Sequence, residues 1–183
     1  MDRQTALGIV KSNIKNQNLV KHMIATEAIM RALAKRFGED EEEWGLAGLL
    51  HDIDLDRVGD DMTVHGKVSA DMAREAGANE AMLHAILCHN EMLGVKRENN
   101  FDKALYCADP LTGLITAAAL VRPEKKLAFV EAKSVAKRFK EKAFAAGANR
   151  EQIASCSEIG LELNEFIELG LDAMKGMADD LGL

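Results

Sequence analysis

Proline is almost missing from this 183-residue chain: only Pro110 and Pro123 occur, so little forces a break into long helices. Aromatic residues are scarce, at 4%, which starves β-strands of side chains they prefer. There is no CxxC spacing. The three cysteines, Cys88, Cys107 and Cys156, stand in apolar or helical contexts and read as core thiols of a reducing compartment, not as a disulfide frame. No apolar run reaches the roughly 18 residues that a membrane span needs, and no signal peptide opens the chain. A cytoplasmic location without membrane contact is expected. Positive charge is in deficit too. A formal charge of −7 argues against a general polyanion surface, so no polymeric nucleic acid is expected as a partner.

What is present points to helix. Ala, Leu, Met, Glu and Lys dominate, with 48% hydrophobic and 29% charged residues, an ordinary balance for a globular protein with one core. The expected fold is all-α, a single helical-bundle domain over residues 1–183. Apolar periodicity predicts helices over about 3–15, 18–37, 40–51, 64–76, 79–91, 100–121, 124–146, 150–158 and 163–180. The stretch "DLDRVGDDMTV" reads as a loop. Gly94, Pro123 and Gly147 read as breaks, and the glycines of "GLAGLL" and "LTGLITA" as places where helices pack closely. "KSVAKRFKEKAFAAG" reads as an exposed amphipathic helix whose basic face could meet an acidic partner.

Five histidines supply the chemistry: His22, His51, His65, His84 and His89. His51 and Asp52 close an apolar helix, where a pair of ionisable groups is a packing liability unless they serve a site. His22 lies 29 residues earlier, a spacing that suits a helical hairpin. Asp109 interrupts "ALYCADPLTGLITAAALV", where an unpaired carboxylate would be expensive. Ordinary readings exist for each. His51–Asp52 fits a helix C-terminus, Asp109–Pro110 fits an N-cap followed by proline at the first helical position, and His65 fits a helix start. His84 lies about 140° around the helix from His89, so the two do not share an ion, and it reads as structural or a pocket wall.

The order His22, His51–Asp52, Asp109 resembles the H…HD…D signature of the HD superfamily of metal-dependent phosphohydrolases. "LLHDID" is similar to its HDIG variant, and "CADPLTGL" to the helix that carries its last metal-binding aspartate. The likeness covers about residues 18–120, with 121–183 as a C-terminal helical extension. The resemblance implies one metal held by His22, His51, Asp52 and Asp109. It implies a second held by His65 in "VHGKVSA" and His89 in "CHNE", with Asp52 as the bridge. The cofactor is then one or two divalent ions among Fe, Mn, Co, Ni and Zn.

The sequence departs from the HDxGK form, since Asp54 and Leu55 stand in place of its Gly and Lys, and the GYP motif is missing. The cyclic-dinucleotide phosphodiesterase activity therefore does not carry over. The expected activity is hydrolysis of a phosphate ester or phosphoanhydride in a nucleotide or other small phosphorylated metabolite, by metal-activated water. Asp52, Asp54 and Glu91 are the candidate catalytic groups, and Arg57, Lys67, Lys96, Arg97 and Arg122 the candidate phosphate cations. The rival readings are a non-catalytic metal-binding or ligand-sensing protein, and a di-iron oxygenase on the same fold. A homodimer through the C-terminal helices is plausible on this reading.

Overall fold

The computed structural model describes residues 1–183 and contains helices and turns but no strand. Helix α1 (Arg3–Asn13) starts where the Asp2 carboxylate accepts the Thr5 N–H. Helix α2 (Gln17–Phe37) is capped by Asn16 and stops at Gly38 in the left-handed region. Helix α3 (Glu41–Leu50) begins at Asp40, whose side chain accepts the Glu42 and Glu43 N–H groups. Three glutamates in its first turn suit the positive end of the helix dipole. A short α4 (Leu55–Val58) follows, then α5 (Lys67–Glu75) and α6 (Glu80–His89). The long α7 (Asn100–Leu120) opens with a reciprocal Asn99/Asp102 capping box. Beyond it come α8 (Ala132–Phe139), α9 (Arg150–Ala154), α10 (Leu163–Lys175) and α11 (Ala178–Leu181). No helix is long and apolar enough to cross a membrane.

The expected all-α class is what the chain adopts, with five local differences, one being that the helix expected over 150–158 ends at Ala154 and continues as a 3-10 turn over Ser155–Ile159. Residues 55–58, expected within a loop, form α4. The helix expected from 64 begins only at Lys67, because Gly66 holds φ at 83° and turns the chain between His65 and the helix. The helix expected over 124–146 shrinks to α8, after a short 3-10 turn at Leu127–Phe129. The Arg150 guanidinium gathers the carbonyls of Arg138, Phe139, Glu141, Phe144, Ala145 and Ala148, so residues 140–148 are wound around one side chain. The last expected helix divides at Gly176 into α10 and α11.

One hydrophobic cluster runs from Ala6 in α1 to Leu181 in α11. Its tightest seam lies between α2 and α3. A side chain at Gly48 would meet the Glu27 nitrogen, the Thr26 carbonyl carbon and Met30 at 3.0 Å, so these helices touch backbone to backbone. Trp44 of α3 stacks on Phe101 of α7 with centroids 4.9 Å apart and planes 2° apart. Together these contacts fix α3 along its length, against α2 through Gly48 and against α7 through Trp44. Gly113 behaves otherwise than "LTGLITA" suggested: nothing lies within 4 Å of its missing side chain, and it opens a cleft rather than a helix seam.

Candidate metal centre

His22 comes from the early turns of α2, His51 and Asp52 from the end of α3, and Asp109 from the middle of α7. His65 stands just before α5, and His89 is the last residue of α6. All six side chains meet. Asp52 lies between the two groups of imidazoles. Its Oδ2 is 3.3 Å from His22 Nε2 and 3.3 Å from His51 Nε2. Its Oδ1 is 3.3 Å from His65 Nε2 and 3.3 Å from His89 Nε2. Asp109 Oδ1 completes the first group, 3.1 Å from His22 Nε2 and 3.8 Å from His51 Nε2.

Every ring is held by its other nitrogen. Backbone carbonyls only accept, so His51 Nδ1–H donates to the Gly48 carbonyl at 2.7 Å and His89 Nδ1–H to that of Ile86. His65 Nδ1–H donates to Asp54 Oδ1 at 2.8 Å. The Thr112 hydroxyl donates to the Asp109 carbonyl at 2.8 Å, so its lone pair accepts His22 Nδ1–H at 2.8 Å. Four Nε2 lone pairs therefore point inward. That is how ligand histidines are set, with the remote nitrogen fixing ring orientation and tautomer.

The inward atoms want a cation. His51 Nε2 is buried with no hydrogen-bond partner. His65 Nε2 and His89 Nε2 face each other at 3.0 Å, where two lone pairs repel unless a proton or metal lies between or beside them. His22, His51 and Asp109 form one group able to hold an ion, and His51, Asp52 and His89 another. Imidazole and carboxylate donors without sulfur suit Fe, Mn, Co, Ni or Zn. The fit is good.

Without metal, protons take that role. Burial by itself lowers a histidine, but hydrogen bonds to Asp109 and Asp52 outweigh it and raise His22 to about 9. Burial likewise opposes charge on His65, yet Asp52 and Asp54 raise it to about 9. His51 is raised well above the usual range by Asp52 and Asp109 against its burial. Burial alone would raise Asp52, but His51, His22 and His65 hold it well below the carboxylate range.

The other candidates take different places. Asp54 is fully buried; it accepts from His65 and from the backbone N–H groups of Gly66 at 2.8 Å and Ser69 at 3.0 Å. It has no oxygen to spare for a substrate. Glu91 is exposed and lines a cleft of about 280 Å³ with His65, His89, Asp109, Asn90 and Gln152. The Tyr106 hydroxyl donates to Glu91, and the Arg97 guanidinium lies 3.7 Å above the Tyr106 ring. Lys96 and Arg97 border an adjoining basin with Glu91 and Glu158. Lys67 lies in a separate groove, Arg57 is exposed on α4, and Arg122 pairs with Glu124 at 3.4 Å beyond α7. His84 meets Cys88 and Asp102 instead, away from His89, and the Asp102 carboxylate there is engaged by the Glu98 and Asn99 N–H groups.

Asp109 is not an N-cap, because α7 runs through it and Pro110 without interruption. Proline removes one helical N–H, which frees the Tyr106 carbonyl. Gln152 Nε2 supplies the missing bond at 2.8 Å and so draws α9 to the edge of the cleft. Sequence reasoning missed Thr112, Tyr106, Asn90 and Gln152. Asn90 ties the two halves of the second group by donating to the carbonyls of Met62 and His65. A proline inside an apolar helix signals that some polar group must meet the freed carbonyl. The others left no signal.

The HD domain family model matches residues 19–120. Among curated proteins, the chain is 31% identical over 98 residues to ribonuclease Y of Oleidesulfovibrio alaskensis, covering 54% of this chain and 18% of that one. It is 26% identical over 167 residues to ribonuclease Y of Sulfurovum sp., covering 89% and 32%, and 31% identical over 140 residues to that of Lawsonia intracellularis, covering 74% and 26%. The chain thus spans about a third or less of the length of these relatives. Their name runs against the expectation, drawn from net charge, that no polymeric nucleic acid is involved. No solved structure matches. With the family model covering more than half of its length, and Asp52 between two histidine groups, the chain belongs to the HD superfamily of metal-dependent phosphohydrolases.

Proposed function

We propose that the protein hydrolyses phosphate esters at a two-metal centre held by His22, His51, Asp52 and Asp109 on one side and His65, His89 and Asp52 on the other. The observation that carries this is the division of Asp52, with one oxygen toward each histidine group. Divalent ions bound there would acidify water and take up charge on the phosphoryl oxygens. The chain's own residues do the rest. Asp54 positions His65 and takes no part in proton transfer. The Glu91 carboxylate, at the solvent edge of the cleft and held by Tyr106, takes the proton that the attacking water gives up and passes it to the leaving oxygen. Arg97, fixed over Tyr106, and Lys96 beside it receive the phosphate charge remote from the scissile bond. The relatives' name points to a phosphodiester of RNA as the class of ester.

The test is turnover of bis-p-nitrophenyl phosphate and a panel of phosphomonoesters, nucleotides and short RNAs by protein loaded with Mn, Co, Ni, Zn or Fe. Turnover that Asp52→Asn abolishes and Glu91→Gln depresses supports the assignment. Two ions bound with no turnover of any ester would leave a structural or sensing metal centre.

A further inference from the structure

The net charge of −7 conceals a sharp asymmetry. Residues 122–142 hold eight Lys/Arg against three Glu, a net of +5, which leaves −12 over the rest of the chain. Six of those cations, Lys125, Lys126, Lys133, Lys137, Lys140 and Lys142, are exposed. The carboxylate pairs in this stretch involve only Arg122 and Arg138; none of the six lysines has a carboxylate within 4.0 Å. Val135 is buried, whereas Lys133 and Lys137 of α8 and its C-cap Lys140 recur at i, i+4 and i+7 and are all exposed. Like charges at that spacing cost a helix a few tenths of a kcal/mol per pair, so the stripe gives the fold nothing. Three of the five exposed large hydrophobic side chains, Leu120, Val121 and Phe129, lie in or beside the same segment.

The segment leaves α7 beside Leu120, at the mouth of a cleft that reaches the metal centre. This cleft, of about 410 Å³, runs between α2 and α7, with His22 and Thr112 at one end and Leu120 at the other. Gly113 leaves its wall open, and Lys21 adds a cation. From Asp109 to Leu120 the helix rises about 16 Å, at 1.5 Å per residue. We infer that the cleft and the 122–142 segment form the track for a single-stranded RNA whose scissile phosphate lies at the metal centre. Lysines along the track neutralise successive phosphates, and Phe129 offers a face on which a base can stack. The inference rests on the ester-hydrolysis reading for its substrate class. Its lysine segment, 122–142, though, lies outside the residues that reading uses.

The experiment measures binding of a fluorescein-labelled 12-nucleotide RNA with phosphorothioate linkages, which resist hydrolysis, to metal-loaded protein by anisotropy between 50 mM and 300 mM salt. Each neutralised phosphate of a single strand contributes about −0.7 to the slope of log K against log salt. The triple variant Lys133→Gln, Lys137→Gln, Lys140→Gln should make the slope shallower by about 2 and weaken binding about 100-fold near 0.1 M salt. A control variant with Lys11, Lys15 and Lys35 changed to Gln should bind as wild type does. Turnover of bis-p-nitrophenyl phosphate should be unchanged in both.

An unchanged slope in the Lys133/Lys137/Lys140 variant overturns the inference. So does lysine-dependent binding of anionic vesicles without binding of RNA. Turnover of the small diester with no RNA binding overturns it too, and leaves the hydrolase reading intact. RNA binding that follows the three lysines, with no ester hydrolysed, keeps the surface and removes the hydrolase.

Discussion

Replacing Thr112 with Val tests whether the metal centre is organised from outside its ligands. Thr112 is 1% exposed and its hydroxyl joins two ligands on different helices, accepting from His22 of α2 and donating to the Asp109 carbonyl of α7. Valine fills the same space without the hydroxyl. The cost then falls mainly on the loaded state. With His22 Nε2 on a metal, the ring proton must sit on Nδ1 and has no acceptor. Without metal, and above the pH of about 9 to which His22 is raised, the ring is neutral and its single proton sits on Nε2, where Asp52 and Asp109 receive it. A buried donor left unpaired costs about 1–3 kcal/mol, so affinity at the first ion should fall about 10- to 100-fold, the usual range for ligand-orienting partners. The second ion, on His65 and His89, should lose far less, because Thr112 touches neither ring. Chelator competition with Zn above pH 9, where the metal-free His22 ring is neutral, resolves the two steps, and Thr112→Ser should stay within a few-fold of wild type. Equal loss at both ions, or none at the first, would show that His22 is not oriented in this way.

Other outcomes follow from the same geometry. Asp52→Asn should reduce bound metal from two ions to one at most, whereas His65→Ala should remove only the second, as read by elemental analysis after desalting. In metal-free protein, His22 and His65 are raised to about 9 from 6.5. Their stabilisation is therefore complete below about pH 6.5 and is lost as pH rises through 9. Melts in chelator should show stability falling over that window, while metal-loaded protein, whose ligands need those protons off, should gain stability over it. Loading at pH 7 should release protons, measurable by calorimetry in buffers of different ionisation enthalpy. Trp44→Ala, which removes the ring stacked on Phe101, should cost about 3–5 kcal/mol in a denaturant titration.

What could be read in the sequence, and what could not, follows from how rare each residue type is. Histidine and an aspartate inside an apolar helix are uncommon enough that His22, His51, Asp52 and Asp109 stand out by type and order. His65 and His89, which the resemblance assigned to a second metal, join the same cluster. The atoms that aim those rings are of the commonest kinds. The Gly48 and Ile86 carbonyls exist at every position of every helix, and one threonine looks like another until two helices cross at it. Asp54 could be seen as a carboxylate but not as a carboxylate spent on His65, because that depends on Gly66 turning the chain back. Asp109–Pro110 shows the limit from the other side. The local rule favours a cap, yet α7 continues because Gln152, 46 residues away, meets the carbonyl that the proline frees. Long-range partners of that sort leave no trace in a local window. Charge was the opposite case: the basic segment was in plain view, and summing over the whole chain hid it. A polyanion meets a surface, not a total, so the sum of −7 does not exclude one from the local excess at 122–142.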